Sequence, residues 1–390
     1  VTYLSRLTAL ALAKEPAGQQ GQYTVPTDSV PFTKAQFEDI IEPLKDESLR
    51  ANDAVLQGIY QGPWRTEWDL EVWGYPDVSG HWLRAIIGPD TLTAGVSTTL
   101  AAAVTTVGAT SISTAASIAA GTTIMIDTGV KIEYAITGTP SGSGPYTIPI
   151  TTPASGLTLT HSSGVAVVGQ STHLFQQNRT FTTQWPSYSF TVWDGVDNAR
   201  GFPGQVMQEL AIKIDPKGIV SFNPKFLGWP SAIQTPFTPA YSTAQPQRGW
   251  GWTMANPGAS TRGLSLDITL KRATEAINSS DGTQGPREVF PGALESDGTY
   301  KAIFENNIDY QLFYNYSQGI TTATLTEPTG GQMNAGTVLA ITMSKSGYTK
   351  FVPDLGQAYI QASFDLAGIY NSTDAGVVQA TLKNFRSTAY

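Results

Sequence analysis

The stretch that decides the fold is NDAVLQGIYQGPWRTEWDLEVWGYPD, residues 52–77. From Trp64 onward its side chains alternate. Trp64, Thr66, Trp68, Leu70 and Val72 form one row, and Arg65, Glu67, Asp69 and Glu71 form the other. Successive side chains of a β-strand point to opposite faces, so the pattern predicts a half-buried strand. One face is aromatic and aliphatic. The other carries three carboxylates in line, which repel one another, and no run of lysine within the strand answers them.

Composition agrees with a β protein. The chain has 390 residues, of which 41% are hydrophobic and only 14% charged. Charged residues usually make up about a quarter of a globular chain, so this surface is built from Thr, Ser, Gln, Asn and Gly. That suits a molecule whose surfaces are covered by other copies of itself. The formal net charge of −8 argues against a protein that grips nucleic acid, though not against one that lets it slide past. Cysteine is absent, which excludes disulfides, zinc knuckles and thiol nucleophiles. No apolar run approaches the roughly 20 residues that span a bilayer. The opening VTYLSRLTALALAKEPAG has a short apolar stretch that runs into Lys14 and Glu15 without a cleavage site, which argues against a signal peptide.

Residues 1–31 read as an extended arm. In PFTKAQFEDIIEPLKDESLR, the residues Phe37, Ile40, Ile41 and Leu44 have helical spacing. Thr33 is placed as N-cap and Pro43 limits the length, so a flanking helix is expected here. HWLRAIIG, residues 81–88, reads as a second strand. From Thr91 to Ser171 only Asp127, Lys131 and Glu133 are charged, and short β pieces recur between Gly and Pro turns. This predicts a small β-rich module inserted into a host domain formed by residues 32–90 and 172–234. Residues 235–390 supply a second domain. Without the insert about 310 residues remain, room for two domains of about 150 each. The two parts resemble each other: GQVMQELAIKI parallels TRGLSLDITLK, GPWRTEWDLEV parallels DGTYKAIFEN, and IVSFNPKFLGW parallels IQASFDLAGIY. Between Lys271 and Gly298 the pattern reads as one long loop. Its apolar Val289, Phe290 and Leu294 need burial, which makes it a candidate contact surface.

Reactive constellations are lacking. His81, His161 and His173 are far apart and none has metal-ligand spacing. No nucleophile elbow, P-loop or dinucleotide turn occurs, so no cofactor is expected. Glu67, Asp69 and Glu71 lie about 7 Å apart along a strand, a tolerable spacing for a glycosidase pair. The aromatic platform for a sugar would then have to share the acidic face, and Trp64 and Trp68 are on the other one. Nine Trp and sixteen Tyr sit mostly at alternating strand positions, as core or interface residues do.

The residues themselves resemble a family. ALAKEPAGQQGQYTVPTDSVPF, IIEPLKDESLRANDAVLQGIYQG, the W-x-x-E-W-D-L-E-V strand and GHWLRAIIGPD are similar to the N-terminal half of tail tube (major tail) proteins of long-tailed bacteriophages. LSLDITLKRATEAINSSDGTQGPREVFPGALESDGTYKAIFEN is similar to their second half. The resemblance covers nearly all the chain except the insert, which looks like the decorating modules some tails carry. It implies an all-β fold of packed antiparallel sheets with a flanking helix, to which the internal similarity adds a duplicated unit and the composition an inserted small β module. It implies rings stacked into a hollow tube for DNA ejection, in a virion tail assembled in the host cytoplasm. Three two-domain subunits per ring are expected, or six if only one half lines the bore. Tape measure, tail terminator and tip proteins are the implied partners, and DNA passes without specific binding. In that setting Glu67, Asp69 and Glu71 are expected to face the bore, with Asp267 and Asp365 joining them, and Val289, Phe290 and Leu294 to lie between stacked rings. A secreted or tail-tip carbohydrate-binding protein and a polysaccharide-cleaving enzyme are the other readings that the residues leave open.

Overall fold

The computed structural model describes residues 5–51, 53–177, 185–255, 263–327, 336–372 and 374–390. The chain begins with β1 (Ala9–Lys14), β2 (Asp28–Val30) and a long hairpin of β3 (Lys34–Asp46) and β4 (Gly58–Trp73). Helix α1 (Ser79–Ile86) and β5 (Asp90–Thr93) follow. Six short strands come next: β6 (Ser97–Thr99), β7 (Ser111–Thr114), β8 (Thr123–Ile126), β9 (Glu133–Thr137), β10 (Tyr146–Thr152) and β11 (Ala166–Gly169). The chain continues through β12 (Ser171–Phe175), β13 (Tyr188–Trp193), β14 (Ala199–Ile214), β15 (Ser221–Gly228), β16 (Ala232–Gln234) and β17 (Trp252–Ala255). A second long hairpin, β18 (Gly263–Ile277) and β19 (Glu288–Ile303), leads to α2 (Ile308–Tyr314), β20 (Gln318–Thr326), β21 (Val338–Asp354), β22 (Gln361–Gly368) and β23 (Gln379–Asn384).

Antiparallel pairing builds a central sheet in the order β3–β4–β15–β14–β18–β19–β22–β21. Alternation gives it one charged face and one apolar face. The apolar face, with Trp68, Leu70, Phe226, Ile212, Ile268 and Phe364, is buried in the main core. A second layer closes that core. It contains β2–β1–β13 and, further along, β5–β12–β23. Strands β14 and β21 belong to both layers. Their first halves pair with β13 and with β20 and β23, and their second halves enter the central sheet. Each carries a bulge at the transition, at Gln208 between Met207 and Glu209 and at Thr349 between Tyr348 and Lys350. A bulge bends its strand, which is what a passage between layers requires.

The same neighbour order therefore occurs twice: hairpin β3–β4 is flanked by β15 and then β14, and hairpin β18–β19 by β22 and then β21. The irregularities match too. In β4, Gly62 and Pro63 stand opposite the single Glu42, between the pairs Ile41–Trp64 and Pro43–Gln61. In β19, Gly292 and Ala293 stand opposite Ala273, between Arg272–Leu294 and Thr274–Pro291. A Cβ at Gly62 or Gly292 would collide with the backbone oxygen of Glu42 or Ala273 respectively. The close approach demands glycine at both places.

Strands β6 to β11 form a separate six-stranded sheet in the order β6–β11–β8–β9–β10–β7. A bridge between Leu100 and Thr114 brings its two ends together. Leu100, Ile112, Ile118, Ile124, Ile126, Ile148 and Val167 fill a core of its own. The chain leaves the host at β5 and returns at β12. These two strands pair with each other, Thr93 opposite Thr172, and Gly95 N donates to Ser171 Oγ at 3.0 Å.

Three local readings of the sequence are corrected. The helix expected around Phe37–Leu44 is β3. Pairing puts Phe37 and Ile41 on one side and Ile40 and Leu44 on the other, so the helical spacing came from two strand faces taken together. Partnership with β4 outweighs it, and the Phe37 ring packs 5.1 Å from Trp68 and 4.7 Å from Phe202. The strand expected at HWLRAIIG is α1, the helix that flanks the sheets. A continuous apolar run does not distinguish a strand from a helix buried all round, and here every residue but Arg84 is buried. The Lys271–Gly298 segment is not a loop. Lys271–Ile277 ends β18 and Glu288–Gly298 begins β19, and the two pair across the turn region between them.

Candidate functional site

The alternation in β4 is realised in space. Thr66, Trp68, Leu70 and Val72 are buried, while Glu67 is exposed and Asp69 and Glu71 are half-buried on the charged face. Cations answer these carboxylates from β3 and from β4 itself. Lys34 of β3 pairs with Asp69. Arg65 pairs with Glu42 and lies 3.4 Å from Glu67. The carboxylates are thus partly neutralised from the side.

This compensation continues across the sheet. Asp69 is opposite Lys225, Lys225 opposite Glu209, Glu209 opposite Lys271 and Lys271 opposite Glu295. One row running across β4, β15, β14, β18 and β19 therefore alternates in sign at every step. Lys225 Nζ is 2.9 Å from Glu209 Oε1, and Lys271 Nζ is 3.9 Å from Glu209 Oε2. Opposite charges on facing strands favour register, each pair contributing about 0.2–1 kcal/mol at such half-exposed positions. Sequence reasoning followed each strand separately and missed Lys225, Glu209, Lys271 and Glu295. The signal was present in their alternating positions, but it needed the strand order.

Asp267 and Asp365 lie on the same face. Lys213 is opposite Asp267, Asp267 opposite Thr299, Thr299 opposite Asp365 and Asp365 opposite Lys350. Burial pushes the Asp267 carboxyl up, and the charges of Lys213 and Lys301 oppose that rise. Asp365 accepts from Thr299 Oγ1 at 3.1 Å and has Lys350 Nζ at 3.9 Å. All five acids singled out from the sequence thus share one sheet face, interleaved with lysines.

The three apolar residues of the second hairpin are divided. Val289 is buried with Trp185, Val206 and Leu227, and Leu294 belongs to the main core. Phe290 alone is turned outward, 42% exposed. The first hairpin adds further apolar residues, of which the sequence reading had assigned Ile41 and Leu44 to a helix. Ile41, Leu44, Leu56, Ile59 and Tyr60 are all exposed towards its tip.

The histidines serve packing. His81 is buried 3.5 Å from Asp28, and His173 Nδ1 is 2.8 Å from Asp90. Both rings pack edge-on against Tyr390 at 4.9 Å. His161 is enclosed in the six-stranded unit between Asp127 and Glu133, at 3.2 and 3.1 Å. Among the described residues no cluster of His, Asp and Glu could hold a metal ion. A cleft of about 360 Å³ lies where Met125, Ile132 and Tyr134 of the six-stranded unit meet Asp28, Asp77 and Arg386 of the host. Burial works against the charge of Asp28, but hydrogen bonds and charge from His81 and Arg386 hold its carboxyl well below the usual range.

No curated protein matches the chain. A family model described as phage tail tube protein matches residues 5–382.

Proposed function

Because the chain belongs to the phage tail tube protein family, a family of structural proteins of the virion tail, we propose that three copies close into a ring whose central sheets line a bore, and that such rings stack into the conduit for DNA ejection. The observation that carries this reading is the central sheet. It has one charged face, one face committed to a core, and two open edges. Among the described residues β3 pairs only with β4, and residues 348–354 of β21 pair only with β22. Open edges of this length invite pairing with another chain, and closure removes them. Two matching units per chain make three chains equivalent to six lining units.

On this reading Glu67, Asp69, Glu71, Asp267 and Asp365 face the bore. The interleaved lysines change how such a wall acts on DNA. A wholly acidic wall would repel it at long range. A mixed wall with a small acidic excess offers phosphate no cluster of cations, because Lys34, Lys225, Lys271, Lys213 and Lys350 each stand opposite a carboxylate, and Lys301 alone stands between serines. DNA then finds neither a strong barrier nor an adhesive site. The exposed ends of the two long hairpins, with Phe290 on one and Leu44, Ile59 and Tyr60 on the other, serve as contacts between successive rings. Tape measure, terminator and tip proteins meet the ends of the stack. The six-stranded module hangs from the second layer, on the side of the sheet away from the charged face, and is displayed outside.

Electron microscopy with mass measurement of the purified protein tests this. Rings or tubes with three copies per ring are expected. Six copies per ring would overturn the stoichiometry. A chain that stays monomeric at high concentration and with its tail-tip partners would overturn the function.

A further inference from the structure

The internal junction between the two halves predicts the seam between copies. Within the chain the last part of β14 pairs with β18: Glu209 opposite Lys271, Ala211 opposite Thr269, Lys213 opposite Asp267 and Ile214 opposite Leu266. The repeat converts each of these positions to its counterpart. The bulge in β14 matches the bulge in β21, which equates Glu209 with Lys350 and Ile214 with Leu355. The glycine bulges of the hairpins equate Arg272 with Ile41, Lys271 with Ile40 and Leu266 with Ala35. The counterparts of β14 and β18 at the junction are the two open edges.

We infer that residues 350–355 of one copy pair antiparallel with residues 35–40 of the next, Lys350 opposite Ile40, Val352 opposite Glu38 and Asp354 opposite Gln36. The inference rests on the reading of the chain as a ring-forming subunit, and it adds the register. Two further observations support it. In this register no like charges stand directly opposite, and Lys350 lies diagonal to both Glu38 and Glu42. The apolar surface that the seam would cover is exposed in the single chain. Leu355, the counterpart of the buried Ile214, is 73% exposed. At the internal junction Arg272 reaches the C-terminus of α1. Its counterpart Ile41 would reach the end of α2, where Tyr314 and Tyr316 are 67% and 80% exposed. The internal seam uses a cation on helix carbonyls, and the seam between copies uses an aliphatic residue on exposed aromatics.

The absence of cysteine makes the test direct. The double variant Val352→Cys with Glu38→Cys should give disulfide-linked dimers and trimers on oxidation, since facing Cα atoms in such a pair are about 5 Å apart and within disulfide reach. Pairing Val352→Cys with Lys34→Cys or Glu42→Cys moves one partner by roughly 13 Å along the strand and should give none. Rings in the micrographs with cross-links only at a shifted pair, or with no cross-links, overturn the seam and leave the tube reading standing. Neither rings nor cross-links overturn both. Hydrogen exchange of the unaltered protein covers the case in which the variants do not assemble. Amides of residues 35–40 should exchange at least about tenfold more slowly in rings than in the isolated chain, and equal rates would overturn the seam.

Discussion

Replacing Arg272 with Met should loosen the join between the two halves. The side chain is 6% exposed. Its Nε donates to Ile86 O at 2.7 Å and its Nη2 to Ile87 O at 3.3 Å, at the end of α1. Its Nη1 donates to Gly292 O at 2.8 Å, across the glycine bulge, and its guanidinium lies 3.9 Å from the Trp185 ring. A hydrogen bond to a charged group contributes about 1.5–3 kcal/mol, and a cation at a helix C-terminus a further 0.3–1. These terms do not add, and Met recovers some packing while removing the cost of burying a charge. A net loss of about 3–5 kcal/mol is expected, because the carbonyls are left buried without their donor. Arg272→Lys should lose about half as much, since an ammonium keeps the charge but cannot span all three carbonyls. Urea unfolding followed by tryptophan fluorescence reads the loss, with the slope against urea unchanged. A loss below about 1 kcal/mol for Arg272→Met would refute the reasoning, because it would mean that water or backbone adjustment satisfies those carbonyls as well as the guanidinium does.

Changing Glu67, Asp69 and Glu71 together to Lys should leave assembly possible and make DNA ejection slower at low salt, recovering as salt rises; ejection kinetics indifferent to salt would exclude these residues from the bore. Replacing residues 94–171 by Asn-Gly, so that Thr93 turns directly into Thr172, should still give tubes in micrographs; complete loss of assembly would place the module in the ring. Phe290→Asp should give soluble rings that fail to stack, and normal tubes would exclude this side chain from the ring-to-ring contact. Asp28 has a folded pKa below its unfolded value of 3.8, so its pairing with Arg386, 2.8 Å apart, stabilises the fold above that pH and is lost as pH falls through the folded pKa. Asp28→Asn should therefore cost about 2 kcal/mol at pH 7, a cost that begins to shrink only below pH 3.8 and is lost only as pH falls through the much lower folded pKa, as measured by urea unfolding; a cost that does not fall at all as the pH is lowered from about 4 to about 2 would show that charge is not involved.

The fold class was legible because period-two alternation survives wherever a strand has one wet and one dry face, as in β4, β18 and β22. It failed where that condition fails. The outer part of β3 is exposed on both faces, so Ile40 and Leu44 appear beside Phe37 and Ile41 and imitate a helix. The reverse holds for α1, which is buried all round and shows no polar stripe. The ends of β18 and β19 extend past the core and carry Gly and Pro at their bulge, which reads as loop. For the candidate site, the acids could be found strand by strand. The lysines that answer them could not, because the order β4–β15–β14–β18 joins segments far apart in sequence and no local pattern encodes it. The repeat was visible as a weak similarity. It matched β4 with β19 and β15 with β22 correctly but β14 with β18, whereas the neighbour order equates β14 with β21 and β18 with β3. Its register became readable only through the matching bulges.

The stem from which the six-stranded module hangs also bears on how the chain folds. Strands β5 and β12 are neighbours in the host sheet, yet the whole module lies between them in sequence. On its own such a pairing is slow, since a long flexible segment must close before any contact rewards it. The module's first and last strands, β6 and β11, pair with each other, Ser97 opposite Val168. They continue directly into β5 and β12. Once the module has folded around its own core, its two ends hold β5 and β12 side by side, and the host closes what is in effect a tight turn. The insertion then acts as a clasp: its own fold turns the pairing of Thr93 with Thr172, which the sequence sets apart by the whole length of the module, into a local one.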